Sequence, residues 1–149
     1  MEIKVKKELE KTLKYFKGVK AVEIPLLNLR RYCFNSKPFV VFSSLKNGKE
    51  VLHIKLPFHK CYELLSRFSD YFTLSTLYDS VRWISFAVDN LTQISKKADI
   101  YNLLIISYKT ILNELNILDT QKYLCEFSID YDVNVVSIQE AFSKGIIGN

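Results

Sequence analysis

Four glycines in a chain of 149 residues leave almost nothing with which to cradle a phosphate. No G-x-G-x-x-G, G-x-x-x-x-G-K-[ST] or G-x-S-x-G occurs, so the dinucleotide, P-loop and serine-hydrolase signatures are all missing. Cysteine is scarce as well. Three cysteines, an odd number, read as reduced thiols rather than a disulfide framework. The charged N-terminal stretch MEIKVKKELEKTLKYFK has no apolar signal core, so the expected address is cytoplasmic. Structural zinc takes four ligands in local pairs, and neither C-x-x-C nor H-x-x-x-H is present, so neither a metal nor a cofactor is expected. No apolar run approaches the roughly 18 residues of a membrane span, which implies a soluble protein.

What is present is ordinary globular material, 48% hydrophobic and 25% charged, enough for one domain that buries a core unaided. The net charge of +5 is unevenly placed. Residues 1–112 carry +9 and residues 113–149 carry −4, so an acidic C-terminal extension, 119–149, is expected to pack on a basic body and partly neutralise it.

Periodicity predicts an amphipathic helix over 3–17, with Val5, Leu9, Leu13 and Phe16 inward, Lys7, Lys11 and Lys14 along another stripe, and Gly18 ending it. Ala21 to Phe34 reads as extended, with Pro25 at an edge, bulge or break. The strongest local signal is Asn47-Gly48 between PFVVFSSL and EVLHIKL, the residue pair a type I′ hairpin demands. With those two as turn residues, Phe42 faces His53 and Val40 faces Lys55. Phe39, Val41, Leu45, Leu52, Ile54 and Leu56 then share the core face, and Val40, Phe42, Val51, His53 and Lys55 the other.

A short helix should follow from Phe58 with Cys61 inward. A strand RWISFAVD comes next, with Trp83, Ser85 and Ala87 on one face. Ser95 can then cap a long helix burying Ala98, Tyr101, Ile105, Tyr108, Leu112 and Leu115. The last thirty residues suggest a helix near 120–127, a strand near 129–136 and a helix over 138–144. Together these predict a single α+β domain over 1–149, with one antiparallel sheet of about four or five strands and helices packed mainly on one face.

The chain's only two histidines, His53 and His59, fall with Cys61 in KEVLHIKLPFHKC. His59 and Cys61 are two apart on a helix, projecting about 200° from each other, so they do not grip one ion. Cys33, Cys61 and Cys125 lie in apolar surroundings that make thiols inert. Asp79 and Ser80 read as turn chemistry ahead of a strand. What remains is a surface: Phe42, His53, Lys55, Trp83 and Arg31 (or its neighbour Arg30) on the second sheet face. The tail, a second subunit or a ligand must cover it. A non-catalytic module binding a small molecule, a protein or a second copy of itself is the leading reading. An enzyme with His53 as general base, oriented by Asp79 or Glu50, is the first alternative. Nucleic-acid binding through Lys7, Lys11 and Lys14, with Arg30 and Arg31, is the second.

The order E-V-L-H (50–53), L-P-F (56–58), D-S-x-x-W-I-S-F (79–86) and L-L-I-I-S-Y (103–108) resembles a small family known as the luciferase domain, over roughly residues 38–110. It is more distantly similar to the MmcQ/YjbR group on its frataxin-like scaffold. The resemblance implies a fold, with Glu50, His53, Asp79, Ser80 and Trp83 as the positions that matter. Family members usually carry a second histidine and a Gly-Asp segment before Leu-Pro-Phe, and Ser-Gly before Trp. Here Ile54-Lys55 leads straight into Leu56, and Ser80-Val81-Arg82 precedes Trp83.

Overall fold

Gly18, at φ +79°, turns the chain out of α1 (Glu2–Tyr15) into β1 (Val19–Ile24). A Cβ there would lie 2.6 Å from the Phe34 ring, so only glycine fits both the space and the backbone. The computed structural model describes residues 2–78, 80–96, 98–115 and 133–135. Pro25 proves to be a break. Its fixed φ starts a 3₁₀ turn, Pro25–Leu27, which splits the expected extended run into β1 and an antiparallel β2 (Leu29–Phe34).

The next turn is the two-residue one, but at an unexpected place. Asn35 and Ser36 both have positive φ, 49° and 67°, and join β2 to β3 (Lys37–Ser44) with Phe34 opposite Lys37. Both central residues at φ > 0 is the geometry of a type I′ turn. At Asn47-Gly48 the Leu45 N–H donates to the Lys49 carbonyl at 2.7 Å just beyond the strand ends, so the loop to β4 (Glu50–Lys55) instead holds three residues, 46–48, inside that pair. Gly48 sits at φ +83° and donates to the Leu45 carbonyl at 2.9 Å, and the Asn47 side chain accepts from the Lys49 N–H at 3.0 Å.

That extra residue shifts the register by one. Val41, not Phe42, lies opposite His53, and Phe42 pairs with Leu52. Phe42 and Val40 therefore face the helices, while Val41 joins the second face and Leu45 is exposed. Phe39 also reaches the helix side, because an irregularity after Tyr32 takes it out of the pairing with β2. The Ser107 hydroxyl donates to its carbonyl at 3.0 Å.

Beyond β4 come α2 (Phe58–Arg67), β5 (Thr73–Leu74), β6 (Trp83–Ala87), α3 (Leu91–Ser95), α4 (Ile100–Glu114) and β7 (Val133–Val135). The class is α+β, as expected, but the sheet is larger, with seven strands among the described residues in the order β5-β6-β4-β3-β2-β1-β7. All neighbours are antiparallel except β7, which runs parallel to β1. Cys125 and the helices expected near 120–127 and 138–144 lie outside the described residues, as does the rest of the acidic extension apart from 133–135.

All four helices of the described residues contribute to one core on one sheet face. Leu9, Leu13 and Phe16 of the first helix and its exit are buried there, and Phe16 stacks on Tyr108 at 4.7 Å. The expected long helix after Ser95 is two helices. Asp99 caps α4, its carboxylate accepting from the Asn102 N–H at 3.1 Å, while the Ser95 hydroxyl donates back to Leu91. The buried stripe is Ile100, Leu103, Leu104, Ser107, Tyr108 and Ile111, rotated from the expected one and leaving Tyr101 exposed. No helix among the described residues is long and apolar enough to cross a membrane.

Candidate functional site

On the face away from the helices, pairing lines up Ser85, His53, Val41, Arg31 and Val22 across five strands. Alternation brings Trp83, Ser43, Cys33, Leu29 and Ile24 to the same side. This face is a second, smaller core rather than an open surface. His53 is 1% exposed, Arg31 2% and Trp83 4%. Part of the cover is the segment between β5 and β6, whose Tyr78 stacks on Trp83 with ring centroids 4.0 Å apart and planes 15° apart.

His53 is fully engaged. Its Nε2 is 3.0 Å from the Ser43 hydroxyl and its Nδ1 2.8 Å from the Ser75 hydroxyl, which also accepts from the Leu77 N–H. Burial, then the nearby Arg31 charge, push its pKa from the ordinary 6.5 to about 4. The ring is neutral at physiological pH and a weak base. Glu50, expected as one orienting partner, points the other way and accepts from Lys6 at 2.5 Å on the helix side. Asp79, the other, lies outside the described residues. Ser80 does form turn chemistry, its hydroxyl accepting from the Arg82 N–H at 3.1 Å.

Arg31 is the anomaly. Its neighbour Arg30, on the opposite face, pairs with Glu23; burial is the largest single influence and lowers its pKa, but the bonds and charges of Glu23 and Tyr32 together raise it. Arg31 has no carboxylate among the described residues, and its Nε and Nη1 are buried without an acceptor. Its guanidinium lies 5.4 Å from the centroid of the Tyr78 ring, and the Tyr78 hydroxyl is also buried without a partner. Burial lowers the Arg31 pKa, yet a guanidinium does not deprotonate in the physiological range, so the cation stays charged. Burial also pushes the Cys33 thiol up to about 12 despite that charge, making it no nucleophile.

The other expected residues disperse. Lys55 lies on the second face by register, but its ammonium reaches Glu114 at 2.8 Å, where Arg82 also binds at 2.6 Å. Phe42 instead lines a cavity of about 370 Å³ under α1, with Lys6, Glu10, Glu23, Arg30 and Glu50. There Lys6 bridges Glu10 and Glu50 while Arg30 bridges Glu10 and Glu23, so those charges answer one another. Lys7, Lys11 and Lys14 are exposed along α1, and His59 is exposed on α2. Among the described residues, no three His, Cys, Asp or Glu side chains are grouped to hold a metal ion.

Tyr78, Ser43 and Ser75 are the residues that sequence reasoning missed. Alternation from His53 across the correct register would have found Ser43. Ser75 and Tyr78 sit in an irregular stretch with no periodic signal. Comparison of the chain with family models, curated proteins and solved structures finds no match in any of the three.

Proposed function

We propose that this chain is a non-catalytic binding module whose working part is the second sheet face around Arg31, and that what it binds carries negative charge. The observation that carries this is the buried guanidinium with no counter-ion among the described residues. Holding an uncompensated charge in a low-dielectric site costs several kcal/mol, an expense that a stable fold has no structural reason to retain. A ligand that brings the missing negative charge supplies one. The neutral, doubly bonded His53 speaks for binding rather than acid–base chemistry. Because His53, Arg31 and Trp83 are covered, a small molecule or a short acidic segment suits the face better than a flat protein surface. Membership of the luciferase-domain family is proposed on the same footing, supported by His53 and Trp83 sharing this face.

The test is thermal unfolding in sodium chloride, formate, acetate, sulfate and phosphate at matched ionic strength, for wild type and Arg31→Met. At least one anion should raise the wild-type Tm saturably and leave the variant's unchanged. If no anion separates the two proteins, the proposal is wrong.

A further inference from the structure

We infer that the anion received at Arg31 is a monovalent carboxylate on an apolar body, rather than a phosphate or sulfate; this rests on the binding-module reading above. Charge count is the first ground. Among the described residues Arg31 is the one buried cation of this face, and it has no carboxylate partner there: Lys20 is exposed, Lys55 is bound to Glu114, and Arg30 lies on the other face bound to Glu23. His53, its ring nitrogens both taken by serines, adds no second charge at neutral pH. A monoanion neutralises such a site, whereas a dianion leaves one negative charge buried.

Donor geometry is the second ground. Nε and Nη1 lie on different edges of the guanidinium and are both buried without an acceptor, so a planar carboxylate on either edge answers one of them and shares Nη2 as its second donor. The Tyr78 hydroxyl offers a further donor beside it. The third ground is the lining. Val22, Ile24, Leu29 and Val41, with the stacked Tyr78 and Trp83, surround the charge with hydrocarbon and aromatic surface. Such walls favour a ligand whose remaining atoms are apolar and penalise a strongly hydrated tetrahedral oxyanion.

The probes are acetate, benzoate, phenyl phosphate and benzyl alcohol, titrated calorimetrically into wild type and Arg31→Met at constant ionic strength and pH 7.5. Trp83, the only tryptophan, gives a parallel fluorescence signal from its stack on Tyr78. Benzoate should bind saturably, more tightly than acetate and at least tenfold more tightly than phenyl phosphate. Benzyl alcohol should not bind, and the variant should lose benzoate at least tenfold. A second measurement needs no variant. Phenyl phosphate should bind better at pH 5 than at pH 7.5, because below its second pKa of about 6 it becomes a monoanion.

Phenyl phosphate binding as tightly as benzoate in wild type, and lost in the variant, would overturn the carboxylate inference and leave the anion-binding proposal standing. Benzyl alcohol binding as well as benzoate would overturn the inference too. No binding by any probe, together with the flat Tm panel described above, would overturn both.

Discussion

Lowering the pH from 7.5 should weaken the fold through His53 before most carboxylates titrate. The folded-state pKa, about 4, lies below the ordinary 6.5 that the unfolded chain restores. The unfolded state therefore takes up the proton first as pH falls. The stabilisation is complete above about pH 6.5, is lost progressively below it, and is gone once pH passes through the folded value near 4. With 1.36 kcal/mol per pKa unit, the loss is about 2 kcal/mol at pH 5 and about 3 kcal/mol at pH 4. Urea unfolding of wild type and His53→Gln at pH 7.5, 6, 5 and 4 isolates this from the carboxylates, which titrate in both proteins. Glutamine costs stability at neutral pH by disturbing the bonds to Ser43 and Ser75. The gap between the two proteins should then narrow by about 2 kcal/mol between pH 7.5 and 5. Parallel curves over that range would refute the account of His53. Since Arg31 is the second cause of the depression, Arg31→Met should raise the His53 pKa, which the ring proton resonances in an NMR titration would show.

Two further comparisons test the fold by urea midpoints. Gly18→Ala should cost about 1–3 kcal/mol from backbone strain alone, and more because the added methyl meets the Phe34 ring at 2.6 Å. Gly48→Ala, at a similar φ but with nothing within 4 Å, should cost only about 1 kcal/mol. Asp99→Ala should lose about 1 kcal/mol as the α4 cap goes, and Ser95→Ala should be neutral within about 0.5 kcal/mol.

Much of the architecture is legible in the residues. The stripe of Leu9, Leu13 and Phe16, the breaks at Gly18 and Pro25, and the strand around Trp83 all fall where their chemistry puts them. The β3–β4 register does not, for a physical reason. Both strands carry apolar side chains on both faces, because the sheet has a core on each side, so period-two alternation cannot choose between registers one residue apart. Asn-Gly fits either a two-residue loop or a three-residue loop with glycine left-handed, and the Asn47 bond to Lys49 goes with the latter. α4 misleads in the same way: Leu103, Leu104, Ile105 and Ile106 are apolar around most of the helix, so its inward direction is set by what it packs against. At the site, alternation guarantees that Arg30 and Arg31 take opposite faces, but only the positions of Glu23 and Tyr78 reveal which arginine is answered.

The most direct measurement is the stability of Arg31→Met against wild type without any added ligand. Methionine fills a similar unbranched volume with no charge to compensate. If Arg31 is held unpaired for a ligand, the variant should be more stable by about 1–4 kcal/mol, read as a higher urea midpoint at unchanged m. A loss of about 3 kcal/mol or more would mean that the guanidinium already has its partner in the folded chain, and would contradict the account.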